Sequence, residues 1–399
     1  MPIEAYLLEW VQLVLRWAHV ITGIAWIGSS FYFIWLDARL NVPPRDPENA
    51  QVGGDLWAVH GGGFYHSQKY KVAPETLPEP LHWFKWEAYF TWMTGFALFI
   101  VVYYLNAEAL LLEPQGTGLE PQGAILASAS LVAIGWLVYD GLNRLGIGDT
   151  WFALIGTLLL LALCFAVSQM FSGRGAFMQV GVMLGTIMAA NVFFIIIPAQ
   201  KQLVAAKLAG TAPDAQFAVR AKQRSVHNNY LTLPVVFAMI SPHFPFTYGR
   251  PYNWLLLFVI FLGGGLVRHY FNLRNRGRNV LALPAAAAAI FIALVFVTAP
   301  RQPAPPAGAQ SSSAAFADVR TIISERCVAC HAAKTTHPTA PVAANGVMFD
   351  TPRQIGIWAP RIFERVVVSK TMPLGNLTQM TEPERAAVEQ WYRAGAHVD

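Results

Sequence analysis

The chain has 399 residues, 55% of them hydrophobic and only 13% charged, with a mean hydropathy of +0.40, where an average soluble domain carries about 25% charge. That balance excludes an ordinary cytoplasmic globular protein, and three cysteines exclude a disulfide framework. The formal net charge of +5, mapped along the chain, marks membrane topology and not a nucleic-acid surface.

A helix that crosses roughly 30 Å of hydrocarbon needs about 20 apolar residues. Eight segments meet or approach this: 10–35, 88–105, 124–139, 151–171, 177–199, 229–241, 254–271 and 280–298. The sixth is short and interrupted by Pro234. Aromatic residues such as Trp10, Trp35, Trp83, Trp86, Trp151, Tyr252 and Trp254 fall at segment ends, where rings anchor at the headgroup level. The odd-numbered loops together hold fourteen Lys and Arg, whereas the even-numbered loops hold only Arg174 and Arg250. Cytoplasmic loops are the Lys- and Arg-rich ones, so both termini are expected outside. In a bacterium this means an inner-membrane protein with its N-terminus and C-terminal domain in the periplasm. The opening MPIEAYLLEW lacks a basic n-region and a small-residue cleavage site, so the first helix is expected to act as the insertion signal.

The loop between the first two spans is long, and loops of that length are often functional. Its His60-Gly61-Gly62-Gly63 run reads equally as an anion-binding backbone or a flexible turn, and Lys69, Lys71, His60, His66, Trp83 and Trp86 offer a rim for a planar anion.

Ionisable residues in or beside spans are costly and usually functional. His19 lies inside the first span, on one helical face with Arg16, Gly23 and Ser30. His82 precedes the second span, His227 opens the sixth, His243 ends it on the outer side, and His269 closes the seventh. They form an inner and an outer group, suited to a relay across the membrane. Spacing does not reveal whether any of them holds a metal or haem. Lone Cys164 in the fourth span reads as a small buried residue.

Residues 301–315, RQPAPPAGAQSSSAA, read as a flexible linker. Beyond it, 316–399 is polar and small for a domain that must build a core without help. It carries Cys327-Val328-Ala329-Cys330-His331, the C-x-x-C-H pattern in which two thiols add to haem vinyl groups and the imidazole takes the iron. A chance match, a zinc half-site and a redox dithiol are the alternatives. An apolar stripe at Phe316, Val319, Ile322 and Ile323 leads into the motif, and Met372 lies where a thioether closes the sixth position. Met348 and Met380 compete for that role. Thr381 and Glu384 predict a capping box opening a last helix. The expectation is one covalent haem c attached at Cys327 and Cys330, with His331 and Met372 as iron ligands. The fold class is all-α: a polytopic bundle of about eight transmembrane helices over 1–300, and a small helical cytochrome c domain.

Several long strings, RWAHVITGIAWIGSSFYFIWLD, LPEPLHWFKWEAYFTWMTG, NVFFIIIPAQ, HNNYLTLPVVFAMISPHFP and VRHYFN, resemble the membrane-integral urate oxidases (urate hydroxylases) that carry a C-terminal cytochrome c. The resemblance implies oxidation of urate to 5-hydroxyisourate, with oxygen from water and electrons passed to the cytochrome, so that no hydrogen peroxide forms. A downstream soluble cytochrome or terminal oxidase would then drain the haem, and no nucleic acid is involved. The residues suit that chemistry, since a planar anion pairs with Arg or Lys and a histidine accepts a proton. The expected substrate and relay residues are His19, His82, His227, His243 and His269, with Arg16, Asn228, Asn229 and Arg268 beside them. A reaction at the inner face leaves electrons about 30 Å to cross. The site therefore lies in the outer half, near His19 and His243, or buried carriers exist: an additional haem b held by membrane histidines, or more weakly a copper site. A different class of function, a quinol-to-cytochrome electron-transfer module with no purine turnover, predicts indifference to urate.

Overall fold

The computed structural model describes residues 3–42, 51–112, 118–299, 313–337, 340 and 343–398. Helix α1 (Ile3–Arg39) is a single rod of 37 residues. A hairpin of β1 (Val52–His60) and β2 (Gly63–Tyr70) follows. Helix α2 (Trp86–Phe99) continues through a π-helical turn, Ile100–Tyr104, to the short α3 (Ala107–Leu110). Next come α4 (Pro121–Arg144), α5 (Asp149–Met170) and α6 (Gly173–Ala190), which joins α7 (Ile197–Leu208) through a π-helical stretch, Asn191–Ile196. Helix α8 (Ala215–Ile240) ends in a 3₁₀ turn, Ser241–His243, before α9 (Pro245–Tyr248), α10 (Asn253–Asn275) and α11 (Ala282–Thr298). The C-terminal part comprises α12 (Ser313–Arg326), α13 (Pro352–Phe363) and α14 (Glu382–Arg393).

Among the described residues, five helical segments are long and apolar enough to cross a membrane: Tyr6–Arg39, Pro121–Arg144, Asp149–Met170, Gly173–Leu208 and Asn253–Asn275. Ala282–Thr298 is apolar but shorter. The second and sixth expected spans are helical, within α2 and α8, but α8 opens with the polar stretch AQFAVRAKQRSVHNNY. Pro234 lies inside α8 without ending it. Opposite it, α10 carries Gly264, where an added Cβ would lie 3.3 Å from the Leu233 Cβ. The gap left by the missing side chain lets the proline turn pack closely.

The expectation of an all-α chain is corrected by the hairpin. Its strands pair antiparallel, with Trp57 opposite His66 and Val59 opposite Phe64. Gly61 and Gly62 have φ of +55° and +80°, the left-handed conformations that a two-residue hairpin turn demands. The glycine run is thus the turn itself.

The bundle core gathers Phe171, Phe177, Leu111, Leu257 and Val180, all fully buried, around the equally buried polar side chains Gln179, Asn191 and Asn229. Helices α6 and α8 approach through small residues, since a Cβ on Gly181 would lie 2.6 Å from that of Ala238. Cys164 is fully buried in this core.

The C-terminal part has a separate core of Phe316, Val319 and Ile323 from α12, Ile355 and Ile362 from α13, and Val388 and Trp391 from α14. Helix α12 starts at Ser313, three residues ahead of the expected boundary. Residues 301–312 of the expected linker lie outside the described residues. Thr381 caps α14, and both bonds of the capping box with Glu384 are present.

Candidate functional site between the bundle and the C-terminal domain

A cavity of about 1550 Å³ is walled by both parts of the chain. The bundle contributes Arg16 and His19 from α1, Trp92 and Phe96 from α2, Tyr103, Arg174 from the start of α6, and His243. The C-terminal domain contributes Cys327, Cys330, His331, Arg365 and Met372. Seven Lys and Arg line this space (Arg16, Arg174, Arg250, Arg326, Arg361, Arg365 and Lys370), and no Asp or Glu among the described residues does. Three of the seven are neutralised from behind, Arg326 by Glu384, Arg365 by Glu364 and Lys370 by Glu382. Arg174 instead meets the Tyr103 hydroxyl at 3.3 Å and stands over that ring at 5.8 Å. The chamber wall therefore carries an excess of positive charge.

His19 is held firmly. Its Nδ1 lies 3.0 Å from the Thr91 carbonyl oxygen and 3.3 Å from Thr94 Oγ1. A carbonyl only accepts, so in the neutral ring Nδ1 carries the hydrogen and Nε2 is the basic nitrogen. Gly95 makes room for the ring, because a Cβ there would fall 2.5 Å from His19 Cε1.

The residues on the other wall fit a covalent haem. His331 Nδ1 donates to the Val347 carbonyl at 3.1 Å, which orients the ring and leaves Nε2 for iron. Burial first keeps the imidazole below its ordinary pKa, against the pull of the Val347 carbonyl, and so favours the neutral ligand form. Burial, reinforced by Cys330, pushes the Cys327 thiol up to about 12. Met372 lines the cavity, its backbone fixed by Met372 N–H donating to Arg365 O at 3.0 Å and by Arg385 Nη1 donating to Met372 O at 2.8 Å. Met380 is buried in the domain core, and neither it nor Met348 lines the cavity. On the bundle side, Arg250 Nε is buried without a partner, the kind of donor a carboxylate on the rim of a macrocycle satisfies. Among the described residues no group of three or more His, Cys, Asp or Glu is placed to hold a metal ion.

The remaining sequence-predicted residues lie elsewhere. Asn229 Oδ1 accepts from Arg268 Nε at 2.8 Å and from Asn272 Nδ2 at 3.1 Å, while its Nδ2 donates to Ser30 at 3.3 Å. Arg268 also stands over the Phe31 ring at 4.1 Å. Asn228 donates to the Met188 carbonyl at 2.9 Å and accepts from Asn191 at 3.0 Å. His227 Nδ1 is 2.8 Å from the Tyr139 hydroxyl and stacks on Phe152, and His269 Nδ1 is 2.7 Å from the Tyr230 hydroxyl. His82 is exposed, edge-on to Phe84. Beside them, Arg224 and Asp140 form a buried ion pair at 2.6 Å. The structure thus brings Arg16, His19 and His243 to the C-x-x-C-H wall, and leaves His82, His227, His269, Asn228, Asn229 and Arg268 off it. The rim expected in the first loop does not line this cavity either: Lys69 pairs with Asp37, and His66 pairs with Asp55 and stacks on Trp57.

Sequence reasoning missed Arg174 and Tyr103 as site residues. A signal was present, since Arg174 and Arg250 are the two cations that break the loop-charge pattern, and both line the cavity.

Neither a search of curated proteins nor one of solved structures finds a match. A family model described as urate oxidase, N-terminal, matches residues 5–299, a stretch that runs from α1 to α11 and contains the whole bundle wall of the cavity. The chain belongs to the urate oxidase N-terminal family and is, at that level, a urate-related oxidoreductase.

Proposed function

We propose that this protein is a multi-pass membrane urate oxidase (urate hydroxylase) that converts urate to 5-hydroxyisourate and delivers the electrons to a haem c on its own C-terminal domain. The observation that carries the reading is the shared cavity, lined by seven cations and no carboxylate, which joins His19 to Cys327, Cys330 and His331. The balance is urate monoanion plus water giving 5-hydroxyisourate, one proton and two electrons. Oxygen is not reduced, so no hydrogen peroxide forms. Arg16 and Arg174 pair with the anion, and the flat faces of Trp92 and Phe96 receive the purine plane. His19 Nε2 takes the proton released as the water oxygen bonds to the purine, while the Thr91 carbonyl holds the opposite N–H. The haem, when bound by Cys327, Cys330, His331 and Met372, would supply a one-electron acceptor at the chamber wall, so each urate reduces it twice in succession, with a soluble cytochrome or terminal oxidase removing the first electron before the second is delivered. With urate in the outer half, electrons need not cross the bilayer. Asn228, Asn229 and Arg268 act from below, tying α1, α6, α8 and α10 together under the chamber.

In this reading α2, α8 and α11 complete an eight-span bundle in a bacterial inner membrane. The N-terminus and the cytochrome domain face the periplasm, where such haems are attached, and a soluble cytochrome or terminal oxidase takes the electrons onward. An additional haem b held by His19 and His243, both on the cavity wall, would occupy the His19 Nε2 that serves here as base, so the two roles exclude each other.

The test is an anaerobic visible spectrum of purified protein before and after urate. Growth of a reduced c-type α band is the expected result, and an added b-type band identifies a second haem. Reduction by a quinol but not by urate would overturn the assignment and leave a plain electron-transfer module.

A further inference from the structure

The C-terminal domain is fastened to the bundle at two places, and these flank Met372. On one side, a Cβ added to Gly249, in the turn after α9, would lie 2.5 Å from the Ser369 Cβ and 2.7 Å from its carbonyl oxygen. On the other, Leu374 packs into a bundle cluster built on Phe99, Tyr103 and Leu110. The next residue, Gly375, has φ of +56°, and a Cβ there would lie 2.6 Å from Ala109 Cα and 2.8 Å from Ala109 O. At both places backbone meets side chain or backbone directly, with no space for a larger residue.

Within its own domain the Met372 backbone is held by Arg365 and Arg385, but its side chain is only half-buried and faces the cavity. The loop 369–376 sets where that side chain points, and the bundle grips this loop at both ends. We propose that Ala109 and Gly249 of the bundle, with Leu374 and Gly375 of the domain, are positioning residues for Met372. The axial ligation of the haem, and with it the potential, then depends on the domain being seated on the bundle. The inference rests on the reading above, in which Met372 is the sixth ligand. Its physical basis is that thioether ligation raises the haem potential and that a loop gripped between two packed bodies loses the alternatives open to a free one. Phe99 and Tyr103 also line the cavity, so the seating contact and the substrate wall share side chains.

The test uses full-length, haem-loaded protein. Ala109→Phe changes only the bundle. It is expected to retain covalent haem by pyridine haemochromogen assay, to lose most of the thioether-to-iron charge-transfer band of the oxidised protein, and to show a lowered midpoint potential. Leu374→Asn is expected to shift both readouts in the same direction by less, while Ile357→Gln, at an exposed position of the same domain, leaves them at wild type. If Ala109→Phe does not assemble, Gly249→Val tests the other contact alone. Haem-loaded variants with the wild-type band and potential would overturn the inference. A wild-type protein with no covalent haem, or with no thioether band, would instead overturn the reading beneath it.

Discussion

In the bundle, buried and half-buried polar side chains are held by partners far away in sequence: His19 by Thr91, Asn229 by Arg268, and Arg224 by Asp140. In the C-terminal domain more of this work is done by near neighbours. Cys327, Cys330 and His331 share five residues, His331 leans on Val347, and Thr381 and Glu384 cap one helix turn. The contrast follows from the medium. A helix crossing hydrocarbon satisfies its own backbone, so its polar side chains find partners on other helices. A domain of about 85 residues cannot enclose enough apolar surface to be generous with its core, and local caps such as that of Thr381 and Glu384 add to it.

The comparison breaks most sharply at the attachment site. Cys327→Ser is expected to abolish covalent haem and to bring urate-driven cytochrome reduction to background, while the bundle still inserts and elutes as a folded species. Cytochrome reduction that survives would show the two parts are not serially linked. Next in size is Asp140→Ala, which leaves Arg224 buried without its counter-charge and is expected to cost about 3–5 kcal/mol. Thermal unfolding in detergent should register the loss in the bundle transition and spare the haem spectrum.

Arg174→Ala removes one charged donor to the substrate, worth about 1.5–3 kcal/mol, or roughly 10- to 150-fold in KM, with kcat changed less. His82→Ala, at the exposed edge of the bundle, is the matched control and should leave both constants at wild type.

The smallest effect belongs to the domain's last helix, where Thr381→Ala is expected to cost about 1 kcal/mol, read by denaturant titration of the haem-loaded protein. Burial opposes charge on Glu384, but the Thr381 N–H and the Arg326 guanidinium outweigh it and hold the carboxyl below its usual range. A folded pKa below the unfolded one means the stabilisation is complete above about pH 4.3 and is lost as pH falls through the folded value. Wild type and Glu384→Gln should therefore converge in stability in acid. A gap that persists there would show that the Glu384 charge is not its source.

The helices that carry the fold were legible because apolar runs and loop charge report on the membrane directly. The C-x-x-C-H motif and the Thr381 cap were legible because each is complete within a few residues. The hairpin was not, because its strands mix aromatic, polar and glycine residues in a loop already suspected of function. Position in the sequence flagged the membrane histidines alike, and only their partners separate them: Tyr139 and Tyr230 engage His227 and His269, whereas His19 and His243 face the cavity. Arg174 was counted as topology because nothing local shows that it meets Tyr103 from across the bundle.

Helix α1 is 37 residues long, about 55 Å at 1.5 Å per residue, and so outruns a hydrocarbon layer of about 30 Å. Its N-terminal half presents Arg16 and His19 to the chamber, and at its other end Asp37 takes Lys69 of the hairpin and Lys222 of α8. Asn41 pairs with Asp55 just beyond. A rod mounted this way is held near its C-terminal end by ion pairs and a backbone bridge to the hairpin. The chamber wall and the hairpin therefore sit on one continuous rod, with different partners fixing each end.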